Sequence, residues 1–243
     1  MIASKSWVAL LAFFLLTPAA LMFPWVSPFI AAAQAAESKL VEIVRFSDYE
    51  TGPVEDWLQG KGFKFEQDAR NRSRIDFDVG ETGLTLETKR SALGLMPNES
   101  VNVPDFSHIE IDWGVTRFPT GASYEKGVRN EALMLIVFLG DERQPSGSMF
   151  IPDSPYFIGF FLCDGEDRLK HAYVGSYFKK GGRYVCLARP PAGEAVTTRF
   201  DLMKAYRAYF DREADDDPAV SGVALAGRHQ ESQRRRQGVR LYP

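Results

Sequence analysis

Glu110-Ile111-Asp112 sets two carboxylates two positions apart. On a β-strand alternate residues share a face and each residue advances ~3.3 Å, so the pair would stand about 7 Å apart on one side. Two carboxyl groups flanking a glycosidic bond are what hydrolysis of a saccharide requires, one as acid and one as base or nucleophile. The surrounding His108-Ile109-Glu110-Ile111-Asp112-Trp113 alternates polar and apolar throughout. A strand with one wet face produces that pattern without any site, so alternation by itself accounts for Glu110 and Asp112. A non-catalytic reading is preferred, with hydrolysis through Glu110 and Asp112 as an alternative.

Other catalytic equipment is not expected. His108, His171 and His229 are far apart, and none falls in a His-x-His or His-Glu-x-x-His spacing that would bring two ligands to one metal. The sequence contains no Gly-x-Ser-x-Gly elbow and no phosphate loop, and neither cysteine sits in a catalytic motif. Asp215-Asp216-Asp217 could contribute to a calcium site, but its carboxylates are contiguous and not at the alternating spacing of an EF-hand loop. Calcium is the only cofactor with any such support, and a solvated loop explains the run as well.

Binding chemistry has more candidates. Trp57, Trp113, Tyr124, Tyr156, Tyr173 and Tyr177 offer rings of the kind that stack on sugar faces. Trp57 follows Glu55-Asp56 in a loop-like stretch, whereas Trp113 falls on the apolar side of its strand. Arg129-Asn130-Glu131 is polar and stands at the mouth of an apolar run, where it could line the same cleft or simply turn the chain. The candidate ligand-binding set is therefore Trp57, Tyr124, Arg129, Asn130 and Glu131, with core packing as the competing role for Trp57.

These residues must be held by a β framework. Residues 40–46 have strand composition and are expected to open the domain. Arg74-Ile75-Asp76-Phe77-Asp78-Val79 alternates with period two, Gly80-Glu81-Thr82-Gly83 turns the chain, and Leu84-Thr85-Leu86-Glu87-Thr88-Lys89 returns as the second arm of a hairpin. Ala132-Leu133-Met134-Leu135-Ile136-Val137-Phe138 is apolar throughout, as in a central strand buried on both faces. Further strands are expected at 156–163, 172–178, 183–188, 220–226 and 239–242. One helix is expected after Thr198, capped by its hydroxyl with Asp201 three residues on, and Leu202, Tyr206 and Tyr209 recur on one face. The sum is an all-β, mainly antiparallel chain: a two-sheet jelly-roll-type sandwich with one late amphipathic helix.

The leader bounds the compartment. Lys5 precedes the uncharged stretch 6–30, which includes Leu10-Leu11-Ala12-Phe13-Phe14-Leu15-Leu16, and small residues follow at Ala31-Ala32-Ala33-Gln34-Ala35-Ala36. Ala33 and Ala35 suit cleavage after Ala35, leaving 36–243 as a single exported domain. The alternative is a retained anchor, since such a stretch is long enough to cross a ~30 Å bilayer, although Pro18, Pro24 and Pro28 would interrupt or kink its helix. Either way Lys5 favours an inside N-terminus and an outward-facing body, periplasmic or extracellular, soluble after cleavage or held through residues 6–30. Export permits Cys163 and Cys186 to form a disulfide, with two buried thiols as the alternative. With 29 basic against 32 acidic residues and a formal charge of −3, nothing marks a nucleic-acid partner beyond Arg234-Arg235-Arg236.

Two resemblances follow. Glu110-Ile111-Asp112 resembles part of the core motif of laminarinase-like glycoside hydrolases, which are jelly rolls. In that family a second glutamate occupies the next inward position, where this chain has Gly114, so the acid of the pair is missing. The body resembles an uncharacterised family of exported bacterial β-sandwich proteins, lectin-like and carbohydrate-binding-module-like in shape. The likeness rests on Phe46-Ser47-Asp48-Tyr49-Glu50 with Trp57, on Arg129-Asn130-Glu131, and on Asp217-Pro218-Ala219-Val220-Ser221-Gly222-Val223-Ala224. It departs at Gly227-Arg228-His229-Gln230, where an acidic pair would be expected. The resemblance implies a non-catalytic binding module for a saccharide or another envelope component, with an accessory subunit held to a membrane complex as an alternative.

Overall fold

The computed structural model describes residues 40–80, 83–89, 91–165, 167–213, 217–229 and 237–241. Residues 1–39, expected to hold the export segment, lie outside them, as do Asp215-Asp216 and Arg234-Arg235-Arg236, and the elements below all belong to the unit Val41–Pro243.

Residues 40–46, expected as a first strand, form none. Leu40 and Val41 are exposed, Phe46 alone is buried, and the chain makes a single 3-10 turn at Phe46–Asp48. A strand needs a ladder partner as well as composition, and this stretch has none among the described residues. Pro53 then leads into an unexpected helix, α1 (Val54–Gly60). Val54 and Leu58, four residues apart, are its buried stripe, and Glu55 and Asp56 sit in the first turn where the helix dipole favours acids. Trp57 is therefore helical and not part of a loop.

The alternating segments become β2 (Ile75–Gly80) and β3 (Gly83–Thr88), after a two-residue β1 (Glu66–Gln67), and pair antiparallel from Ile75 with Thr88 to Gly80 with Gly83. Ile75, Phe77 and Val79 face the core and the intervening aspartates do not, as the period of two requires. β4 (Ala92–Asn98) follows, and then β5 (His108–Val115), with Ile111 and Trp113 buried and Glu110 exposed. The apolar run at 132–138 enters β6 (Met134–Gln144), the middle strand of seven, flanked on both sides.

β7 (Ser154–Leu162) pairs antiparallel with β6 but parallel with β9 (Gly182–Ala188). The expected strand at 172–178 shrinks to β8 (Ala172–Tyr173), because Val174 and Tyr177 are exposed and the chain turns through a left-handed Phe178. β10 (Ala195–Asp201) pairs with β5 down to Asp201 opposite His108. That ladder keeps Thr198 extended, its hydroxyl donating to the Ile111 carbonyl at 3.3 Å, so Thr198 cannot cap a helix. Asp201 caps α2 (Leu202–Phe210) instead, accepting from the Lys204 amide at 2.9 Å. β11 (Val220–His229) and β12 (Gln237–Leu241) complete the chain.

The protein is thus mainly β, with mixed, largely antiparallel sheets and two α-helices where one was expected. One sheet runs β1-β4-β11-β6-β7-β9-β8 and the other β10-β5-β12-β3-β2. Both contribute to one apolar core that includes Phe77, Trp113, Ile158 and Val223. The Phe160 ring from the first sheet meets the Phe200 ring from the second at 5.0 Å. Contact is close enough at Gly94 that an added Cβ would lie 2.2 Å from Ile75 Cδ1. A disulfide joins Cys163, just past β7, to Cys186 in β9, with their Cα atoms 5.8 Å apart.

Candidate functional site

The chain between β5 and β6 folds back on itself through a bridge from Ser123 to Val128. Asp167 holds that turn: its carboxylate accepts from the Ser123 hydroxyl at 2.9 Å and from the Glu125 amide at 3.1 Å. Between this turn, the start of β6 and the end of β7 lies a small pocket lined by Ser123, Tyr124, Asn130, Glu131, Phe161 and Cys163, among others. Tyr124, Asn130 and Glu131, expected as binding residues, therefore meet at one place.

Glu131 is 7% exposed, and its Oε1 is buried with no hydrogen-bond partner. Burial pushes its carboxyl above the ordinary glutamate range, against the opposing pull of the Tyr124 hydroxyl, its own backbone amide, Arg228 and Arg129. Desolvation dominates because the carboxylate form would sit away from water. Tyr124, in turn, is pushed up first by burial and then by Glu131, and burial takes the Tyr184 phenol up to about 12.

Tyr124 does not present a free ring face. Its ring stacks on Phe161 at 4.8 Å and on Tyr184 at 5.3 Å, and the Arg129 guanidinium lies 5.8 Å from its centroid. Arg129 donates to the Ser176 hydroxyl at 2.6 Å, while its Nε is buried without a partner. Arg129 thus backs Tyr124 and is not among the residues lining the pocket.

The space open to a water-sized group is about 20 Å³, room for about one water or one hydroxyl. That is far below the ~300 Å³ or more of a pocket enclosing a small molecule, so the site takes a projecting group and not a whole sugar ring. The chemistry available is hydrogen bonding. Where it is protonated, the Glu131 carboxyl can donate and accept at once, whereas Asp167, the other buried acid at the pocket, is occupied by Ser123 and Glu125.

The remaining candidates lie elsewhere. Trp57 is half-buried, with Phe46 at 6.1 Å and Tyr49 at 5.6 Å. The chain just past α1 is fastened to the far end of β4 by a 2.9 Å bond from Asn98 to the Lys61 carbonyl. Glu131 is level with Leu93, since its carbonyl accepts from the amide of Arg228, which pairs with Leu93. Leu93 and Asn98 are about 17 Å apart at ~3.3 Å per residue. The structure therefore does not bring Trp57 to the Glu131 pocket. Glu110 is exposed opposite Arg199, and Asp112 accepts from the Thr197 hydroxyl at 2.5 Å. Trp113 is fully buried in the core. Asp217 is paired with Arg207, and among the described residues no three His, Cys, Asp or Glu side chains gather as metal ligands.

Sequence reasoning missed Ser123, Asp167, Phe161 and Tyr184. Asp167 comes from the crossover after β7, and no local pattern ties it to Ser123, 44 residues earlier.

No protein-family model and no curated protein matches this sequence. Among solved structures, the chain is distantly similar to an agarase, AgWH50C, at a TM-score of 0.35 and 10% identity, over 83% of this chain and 23% of the agarase. It is also similar to the xyloglucanase domain of NopAA, a type three effector from Sinorhizobium fredii in complex with cellobiose, at a TM-score of 0.35 and 10% identity, over 74% of this chain and 91% of that domain. The chain spans about a quarter of the agarase. Likenesses at this TM-score carry no argument about what the chain binds or does.

Proposed function

We propose that this chain is an exported, non-catalytic binding module, a jelly-roll-type sandwich whose Glu131 pocket receives a hydroxyl of a saccharide or another polar envelope component. One observation carries the reading: the buried, unpartnered Oε1 of Glu131 at a pocket sized for a single hydroxyl. Leaving a buried polar atom unpaired costs about 1–3 kcal/mol, and an occupant that bonds to it removes that cost. A neutral carboxyl suits a hydroxyl, which also donates and accepts, better than it suits an anion. Asn130 and Tyr124 line the same pocket and are available for further contacts. Export is supported by the Cys163–Cys186 disulfide, which belongs in an oxidising compartment. No helix among the described residues is long and apolar enough to cross a membrane.

The test is retention on insoluble envelope glycans. Glu131→Leu is expected to weaken retention about tenfold, the worth of one such bond. Glu131→Gln keeps a neutral donor and acceptor and should bind as the parent does at acid pH. The parent, unlike Glu131→Gln, loses retention as pH rises through the raised Glu131 value, because ionisation removes the O–H donor. A folded Glu131→Leu variant that is retained as well as the parent would overturn the assignment. Trp57→Ala should leave retention unchanged.

A further inference from the structure

Residues 145–153, the connection from β6 to β7, carry the most exposed large apolar side chains of the described residues: Met149 is 94% exposed and Phe150 91%. The loop that displays them is well ordered by its own polar groups. Ser146 is buried, and its hydroxyl lies 2.5 Å from the Ile151 carbonyl and accepts from the Ser148 amide at 3.2 Å. The Asp153 carboxylate accepts from the Ser146 amide at 3.0 Å, and the Ser148 hydroxyl accepts from the Phe150 amide at 3.2 Å. Arg143 closes the base by donating to the Asp153 carbonyl at 2.9 Å. Met149 and Phe150 are thus held out at a convex tip.

A basic segment stands beside this tip. The Phe178 amide donates to the Ser146 carbonyl at 2.9 Å, which fixes residues 177–182 against the loop base. Arg183 binds the carbonyl of Lys179 at 3.1 Å and that of Tyr209 at 2.9 Å, and so braces the turn that presents Lys179 and Lys180 to solvent. Residues 143–153 and 174–183 together carry Arg143, Lys179, Lys180 and Arg183 against Asp153 alone. Of the acids just before them, Asp141 is exposed and Glu142 is held by Arg212 at 2.7 Å.

We propose that the Met149–Phe150 tip inserts into the interface of an anionic lipid bilayer, with Lys179 and Lys180 against the headgroups. The observations favour lipid over protein: the pair is more than nine-tenths exposed at a loop tip, and Tyr177 on the adjoining segment is only half exposed, so the apolar surface is a small protruding one and not a broad flat patch. Its neighbours supply the basic charge that adds to apolar insertion at anionic surfaces. Because the loop is already ordered, insertion has little conformational entropy to overcome. The tip lies at the opposite end of β6 from Glu131, about 30 Å away along the strand, so the pocket would face away from the membrane.

The experiment is peptide-resolved hydrogen exchange of the full chain on phosphatidylglycerol and phosphatidylcholine vesicles, with co-sedimentation of variants. Exchange resolved by peptide separates the tip from any contact made by residues 6–30. Amides of 145–153 should slow on phosphatidylglycerol only. Met149→Ser with Phe150→Ser should abolish that slowing; both side chains are more than nine-tenths exposed, so the variant folds. Lys179→Ala and Lys180→Ala should each weaken the tip's contribution about fivefold at low salt. Unchanged exchange at 145–153 on phosphatidylglycerol, or equal slowing on both lipids, overturns the proposal. Slowing that depends on protein concentration without lipid would assign the tip to a second chain and would overturn it equally.

Discussion

The two ends of the β6–β7 hairpin depart from the usual partition of polar and apolar groups in opposite directions. At the end where β6 begins and β7 finishes, a carboxyl oxygen of Glu131 is buried without a partner among Tyr124, Phe161 and the disulfide. At the loop end, every polar anchor around Ser146 is bonded, and it is Met149 and Phe150 that lack a place. The first end is stiffened by rings and a covalent link, the second by hydrogen bonds around Ser146 and by the Phe178 ring against Phe157 at the loop base. A polar group kept inside asks for a small hydrogen-bonding occupant, and an apolar pair kept outside asks for an apolar phase. The two ends should therefore respond to different perturbations.

Phe161→Ala should separate them most. Phe161 is 3% exposed and supports the Tyr124 ring, so its truncation is expected to cost about 3–5 kcal/mol in denaturant unfolding. Exchange should accelerate in 123–131 and not in 145–153. Replacing Cys163 and Cys186 together with alanine comes next, at about 2–4 kcal/mol by thermal unfolding, again with the pocket end loosened first.

Titration of Glu131 gives a smaller effect with a definite sign. Its folded value is raised by burial, so between the ordinary glutamate value and the raised one the native state holds more protons than the unfolded state. Stability from this group is complete below the ordinary value and is lost as pH rises through the raised one. Glu131→Gln should flatten that decline in the pH profile of unfolding, and an identical profile for parent and variant would mean that Glu131 is not buried as described. Met149→Ser with Phe150→Ser should do least, within about 0.5 kcal/mol of the parent, since neither side chain packs against anything. A large destabilisation there would mean that the tip belongs to the core.

Much of the framework was legible because it is local. Ile75, Phe77 and Val79 announce a half-buried strand by period alone, and the unbroken apolar run at 132–138 announces a central one. Helix α1 was hidden because only Val54 and Leu58 mark its buried face, and Glu55 and Asp56 between them read as a polar loop. Thr198 satisfied the local rule for a cap, yet its pairing with Ile111 outweighed that rule and passed the cap to Asp201. Residues 40–46 had strand composition and no partner.

What the sequence determined by itself was the alternation of faces, the central apolar strand, the presence of two cysteines for an oxidising compartment to join, and a polar triplet, Arg129-Asn130-Glu131, just ahead of that strand. Those properties depend on residue type and spacing within a few positions. Only the tertiary structure decided that Glu131 is buried with its Oε1 unpartnered, that the Tyr124 ring packs on Phe161 and Tyr184, that Trp57 stands apart, and that the turn bearing Lys179 and Lys180 is tied at Phe178 to the base of the Met149–Phe150 loop. Each of these depends on which distant segments the sheet order and the parallel β7–β9 pairing bring together, and burial sets the charge state of a carboxyl more strongly than its sequence neighbours do.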